Sequence, residues 1–374
     1  MSQFEGKDYS DYFRALEKSM EAGPKIRQPN TNQVAKKTSK KRVFCAVISV
    51  RRYRRAVFSA IALLCVIGIA AAIAAVSRGG RQTAPDDSKN ATSSALEIVD
   101  DVQKPKNYFA KRKGSISGIP SDIEAQNVII INTTDNVVVA ERNAKARCYP
   151  ASTTKIMTAL VAIENITDMN DTFTMSYEIT DPLYIAGATV AGFSSGESVN
   201  MTDLLYGTIL PSGADACVAL AKKISGSEEA FVRLMNQKAR DLGLRDTNFV
   251  NTSGLYDDNH YTTAEDMAVI LRAAMDNELC RKILSTYQYT TASTPQHPEG
   301  ILLSSTLFSY MYGTEPEGAD ILGGKTGFVN ESGYCIAAFG ESDTGKEYIC
   351  VTLGGTTHWP AIYNQIDLFS DFAK

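Results

Sequence analysis

From Ala56 to Ser77 the chain runs for 22 residues without a charged side chain, dominated by Ala, Ile, Leu and Val. A bilayer core offers a spanning backbone no water, so such a run must close its hydrogen bonds internally as a helix, and about 20 residues suffice. This segment divides everything else. Arg51, Arg52, Arg54 and Arg55 stand just before it, with Lys36, Lys37, Lys40, Lys41 and Arg42 further back. By the positive-inside rule the N-terminus stays in the cytoplasm and the body is exported. A cleaved signal peptide competes, because Ala72-Ile73-Ala74 offers a small-residue site, but the preceding basic region and the apolar run are both too long for one. The segment reads as an uncleaved signal anchor.

Charge follows the same division. Residues 1–55 carry fourteen Lys/Arg against five Asp/Glu, while the remainder carries 24 against 37. Basic charge confined to one end argues against nucleic acid as a ligand. Residues 1–42 are polar and poor in aliphatics, and read as a largely disordered cytoplasmic head. Within them Tyr9, Tyr12, Phe13, Leu16 and Met20 fall at helical spacing behind Ser10. Residues 9–20 are thus a candidate docking helix for a cytoplasmic partner or the inner leaflet, the alternative being an amphipathic turn with no fixed job. Residues 78–121 are rich in Ser, Asp, Lys, Gly and Pro and read as an extracytoplasmic linker. The globular body is expected over 122–374.

In that body Val128-Ile129-Ile130-Ile131 and Val137-Val138-Val139-Ala140 flank a turn-rich stretch and predict a β-hairpin. Apolar periodicity predicts helices over 203–210, 216–224, 228–242 and 263–277. A second hairpin is expected over 334–353 around Thr344-Gly345. Ile362, Ile366, Phe369 and Phe372 mark one face of a last helix, expected to pack on the sheet. Strands at both ends with helices between them predict an α+β domain, its antiparallel sheet formed by both ends beside a helical cluster and preceded by one transmembrane helix. The seven cysteines include no C-x-x-C and are odd in number, so neither a disulfide framework nor a zinc knuckle is expected. Cys335 and Cys350 are expected on neighbouring strands, out of register, as core residues. His260, His297 and His358 are scattered without metal-binding spacing and read as surface or loop residues. No metal, nucleotide or other cofactor is implied.

The chemistry begins at Ser152, in the only Ser-x-x-Lys of the chain. A serine hydroxyl needs a base within hydrogen-bond reach. On a helix Lys155 lies one turn above Ser152, and Ile156, Met157, Ala159, Leu160, Val161 and Ile163 make that helix apolar on nearly every side. Burial and a second cation would lower the lysine's pKa and make it a general base. Taken alone, the tetrapeptide fits a helix cap with a rim lysine as well. Two further motifs weigh against that. Ser212-Gly213-Ala214-Asp215 opens a helix 60 residues later, and Lys325-Thr326-Gly327 lies near the start of a strand. Order and context follow the active-serine pattern S-x-x-K, S-x-N, K-T-G. Gly192-Phe193-Ser194-Ser195-Gly196 also matches a G-x-S-x-G nucleophile elbow, but the flanking strand and helix are missing.

With these motifs, the stretches 137–160, 196–215, 231–255 and 323–333 resemble the low-molecular-mass D-alanyl-D-alanine carboxypeptidases, serine DD-peptidases (penicillin-binding proteins) related to β-lactamases. The resemblance covers 123–355. It implies a DD-peptidase/β-lactamase-like fold and a bacterial, single-pass membrane protein with an extracytoplasmic catalytic domain. Its substrates would be peptidoglycan stem peptides ending in D-Ala-D-Ala, and β-lactams would inhibit it covalently. It implies Ser152 as nucleophile, Lys155 as base and Ser212 as proton relay. Lys325, Thr326 and Gly327 would bind substrate, Lys325 by its charge and Gly327 by leaving room along the strand edge. The backbone N–H groups of Ser152 and Phe328 would form the oxyanion hole. Three departures stand out. Ala214 replaces the usual asparagine. No arginine follows Gly354-Gly355. The additional C-terminal β domain and amphipathic anchor of many relatives are not expected here. A penicillin-binding sensor that does not turn over, or a serine β-lactamase, is the alternative function.

Overall fold

The computed structural model describes residues 106–374. The expected head, its docking helix at 9–20, the transmembrane run and most of the linker lie outside the described residues. Among the described residues no helix is long and apolar enough to cross a membrane.

The elements in chain order are β1 (Ser117–Gly118), β2 (Asn127–Asn132), β3 (Val137–Arg142), a 3-10 turn over Ala151–Thr154, and α1 (Lys155–Asn165). There follow β4 (Thr172–Thr174), α2 (Tyr177–Ile185), β5 (Ser198–Asn200), α3 (Met201–Ile209), α4 (Ala214–Ser225), α5 (Glu228–Asp241), α6 (Ala264–Asp276) and α7 (Glu278–Leu284). The chain ends with β6 (Gln288–Thr290), β7 (Leu302–Ser304), α8 (Thr306–Met311), β8 (Ala319–Val329), β9 (Gly333–Ser342), β10 (Glu347–Gly355) and α9 (His358–Phe372). The main sheet has the order β1-β3-β2-β10-β9-β8. The expectation of terminal strands sharing one sheet holds at its centre, where Ile131 pairs with Ile349 and Ile129 with Val351.

Side chains alternate across this sheet and both faces are covered. Ile129, Ile131, Cys335, Ala337, Phe339, Ile349, Val351 and Leu353 face the helical cluster around α1, α3, α4 and α6. Val128, Ile130, Ile336, Ala338, Tyr348 and Cys350 face α9, against which Ile362, Ile366 and Phe369 pack. Cys335 and Cys350 therefore lie on opposite faces, and all five described cysteines are free. Helix starts follow side-chain caps. Asn200 accepts from Asp203 N, Ser227 from Ala230 N, Thr263 from Asp266 N and Asn277 from Cys280 N. The Asn200 cap starts α3 two residues before the predicted boundary.

The body also begins earlier than Asp122. Tyr108, Phe109, Ala110 and Ile116 pack against the core, β1 pairs in parallel with β3, and Arg112 forms ion pairs with Glu141 and Glu265. The aromatic pair at 108–109 supplies apolar area that the polar composition around it masks. A second tie follows. The Arg142 guanidinium donates to the carbonyls of Ile119, Pro120, Ile123 and Ala125 at 2.6–3.2 Å, fixing the entry to β2. Replacing Arg142 by Met leaves these acceptors without their shared donor and should lower unfolding stability by about 2 kcal/mol, read from the urea midpoint.

Candidate active site

Ser152 sits in the 3-10 turn that leads into α1, and Ala151 enters that turn with a left-handed φ of 47°. Such a conformation costs a non-glycine residue energy and must be held by its surroundings. They are close on two sides. A Cβ at Gly327 would lie 2.7 Å from Ser152 N and 3.0 Å from Thr153 N, so β8 can press against the turn only because residue 327 has no side chain. On the other side a Cβ at Gly254 would overlap Ala151 O at 1.9 Å, at a φ of +81° that itself favours glycine. Gly327 thus packs against the Ser152 turn where no side chain would fit.

This packing brings the lysines indoors. Lys155 is 2% exposed, and its Nζ donates to Ser152 Oγ at 2.9 Å and to Ser253 O at 2.6 Å. Lys325 is 1% exposed and donates to Thr326 O at 2.9 Å. Burial pushes the Lys155 ammonium below the ordinary lysine range, outweighing Cys217 and Asp215 nearby. Burial also pushes Lys325 well below the ordinary lysine range, and repulsion from Lys155 adds to it. Burial thus disfavours the ammonium form at both lysines.

Ser212 is buried, with a left-handed φ of 69°, immediately before α4. Among the described residues no hydrogen bond joins its hydroxyl to Ser152 or Lys155. The motif around it has a different, structural logic. A Cβ on Gly213 would meet Ala191 N, Asp215 Oδ1 and Gly207 O, all at 2.7 Å. Buried Asp215 accepts from Ala191 N at 2.7 Å and Gly192 N at 3.2 Å, so it clamps the loop that includes the G-x-S-x-G match. Burial raises the Asp215 carboxyl above its usual range, and these backbone donors pull it partly back. Ser194 lies in that loop, where its N–H donates to Glu197. Ala214 lines the catalytic groove together with Ser152, Lys155, Ser253, Tyr256 and Phe328. Strand β8 is the last in the sheet, so its outer edge has no partner strand. Phe328, 48% exposed, packs its ring against Tyr334 at 4.5 Å.

Two supports had no assigned role in the sequence. Asn251 Oδ1 accepts from Ser253 N and from Gly254 N at 2.7 Å, shaping the loop whose Ser253 carbonyl holds Lys155. His260, expected at the surface or in a loop, lies in a loop but is buried: it is 2% exposed and its Nε2 lies 2.8 Å from Thr154 Oγ1. Val250 N–H donates to His260 Nδ1, which puts the ring proton on Nε2 and makes it the donor to the nucleophile turn. The sequence signal for these residues is limited to their place in the stretch 231–255 and just beyond it.

A profile of the family described as Peptidase S11, D-alanyl-D-alanine carboxypeptidase, matches residues 114–357, well over half of the chain. The chain belongs to this family. It is 31% identical over 266 residues to D-alanyl-D-alanine carboxypeptidase DacF of Bacillus subtilis, a match covering 71% of this chain and 66% of that protein. It is 32% identical to DacA of Escherichia coli K12, over 66% of this chain and 59% of that one. The chain thus spans less than two thirds of these relatives. Among solved structures, the Streptomyces K15 DD-transpeptidase superposes with a TM-score of 0.59 at 28% identity, over 66% of this chain and 95% of that one. Penicillin-binding protein 5 of Haemophilus influenzae superposes with a TM-score of 0.58 at 27% identity, over 67% and 70%. The α+β DD-peptidase fold expected from sequence is the fold found.

His260 carries a pH signature. Burial lowers its pKa from 6.5 to about 4, so as pH falls the unfolded chain takes up the proton first. Stability from this group is therefore intact above about 6.5 and is lost progressively toward pH 4, by about 3 kcal/mol in total. The pH dependence of the unfolding midpoint should be shallower in His260→Gln across that window.

Proposed function

We propose that the protein is a membrane-anchored serine D-alanyl-D-alanine carboxypeptidase of a bacterial cell envelope. Its N-terminus would be cytoplasmic and its catalytic domain extracytoplasmic, and it would remove the terminal D-alanine from peptidoglycan stem peptides. The observation that carries the reading is the 2.9 Å bond between Lys155 Nζ and Ser152 Oγ in a buried, two-lysine site. Family membership supports the substrate class, and the uncharged run over 56–77 supports the anchor.

In this reading Ser152 Oγ attacks the carbonyl between the two D-alanines while neutral Lys155 takes its proton. The oxyanion forms between the N–H groups of Ser152 and Phe328, at the turn that Gly327 allows β8 to approach. Ser212 passes a proton to the departing D-alanine nitrogen and takes one back from Lys155, which is neutral again. The C–N bond breaks and leaves an ester on Ser152. Lys155 then draws a proton from water, the hydroxide attacks the ester, and as the C–O bond breaks Lys155 returns that proton to Ser152 Oγ. The arriving carboxylate, beside Thr326, would hold the charge on Lys325, and like-charge repulsion then favours neutral Lys155. β-Lactams, which likewise present an amide and a carboxylate, the amide here strained by its ring, would acylate the same serine.

The test uses the full chain with Ser152→Ala as control, following D-alanine release from a D-Ala-D-Ala peptide and covalent labelling by a fluorescent penicillin. Both should occur and both should vanish in the variant. Labelling without release would replace the carboxypeptidase with a sensor, a reading that Ala214 favours because no side-chain amide occupies that groove position. Rapid nitrocefin hydrolysis would indicate a β-lactamase. Because acylation needs neutral Lys155, its rate should rise with pH through the lowered lysine pKa and level off below the ordinary lysine value of 10.5. It should fall again once Lys325 loses the charge that the bound anion stabilises.

A further inference from the structure

Thr306, the first residue of α8, belongs to none of the three motifs. Its backbone N–H donates to Leu210 O at 3.0 Å, on the loop that runs into Ser212. Its hydroxyl lies 2.7 Å from Thr326 Oγ1. One residue therefore ties the loop of the second motif to the strand of the third. Its own helix is firmly seated, with Leu307, Phe308 and Met311 buried and the Phe308 ring stacked on Tyr287 at 3.8 Å.

We infer that Thr306 is a positioning residue for recognition of the substrate's terminal carboxylate, acting by donating its hydroxyl proton to Thr326 Oγ1. The identity of the anion rests on the carboxypeptidase reading above. A hydroxyl has one proton and two lone pairs. If Thr326 donated to Thr306, an arriving carboxylate would meet only lone pairs on Thr326. The reverse order frees the Thr326 proton for the anion, and a donor behind a donor polarises the bond in front of it. Other groups leave this task to Thr306. Lys325 Nζ is bonded to the backbone carbonyl of Thr326, which fixes the main chain but leaves the side-chain rotor open. The stretch 356–361 carries no arginine to take the anion directly.

Binding to the Ser152→Ala full chain reads this without turnover. An N-acylated D-Ala-D-Ala peptide and its C-terminal amide are titrated calorimetrically, with and without Thr306→Val. The free acid should weaken about fivefold to tenfold and the amide less than twofold, with Thr306→Ser restoring the parent preference. Thr306→Ala, which removes the hydroxyl without a branched replacement, should show the same pattern as valine. In the chain retaining Ser152, Thr306→Val should raise KM more than it lowers kcat. Equal weakening of acid and amide, or no preference for the acid in the parent, overturns the inference. Selective loss of acid binding alongside absent D-alanine release from the unmutated chain would remove the carboxypeptidase reading and leave this one standing.

Discussion

Strand β8 lies against the Ser152 turn with no space for a methyl group at residue 327. Most of the site depends on that close approach. It seals Lys155 and Lys325 from water, and two sealed ammoniums compete for charge. A surface lysine beside a serine would stay protonated at neutral pH and leave the hydroxyl inert. Here the protein raises the cost of the charged form until one lysine can act as a base. The same contact brings the strand edge that would hold a substrate within reach of the nucleophile. Gly254 performs the corresponding service from the opposite side of the turn.

Much of this was legible in the chain. The unbroken apolar run Val128–Ile131 marks a strand buried on both faces, and the residues at 362, 366, 369 and 372 mark a helix lying on a sheet. That the terminal strands share one antiparallel sheet followed from strands at both ends with helices between them; the direct pairing of β2 with β10 did not. Ser152, Lys155 and Lys325, which the structure brings into one buried site, stood out because their spacing has chemical meaning. What escaped was support from non-local partners. Nothing near His260 in sequence tells that its ring will be buried against Thr154, and nothing near Thr306 tells that it will meet Thr326. A short helix such as α8 has too few residues for periodicity to register. The segment at 108–118 was absorbed into the linker because two aromatics in a polar stretch do not change its composition.

The second motif shows how a pattern can be kept for two reasons at once. Gly213 and Asp215 hold a loop by packing and by backbone hydrogen bonds, and these duties are independent of any role in proton transfer. Residue 214 shares in the scaffold, its N–H donating to Thr189 O at 2.8 Å and its methyl buried in the core, and it also lines the groove, so alanine there alters what a substrate meets.

The central pairing of β2 with β10 also governs how the domain comes into being. Ile131 and Ile349 are joined across more than two hundred intervening residues, and the helices that carry the nucleophile lie inside that loop. Closing so long a loop brings its reward only when the last strand is available. The helices can form early as a cluster, but the sheet that supports β8 cannot be completed until β9 and β10 have been made. The apolar faces of β2 and β3 must remain shielded in the meantime, which makes assembly, more than final stability, the vulnerable stage for this molecule.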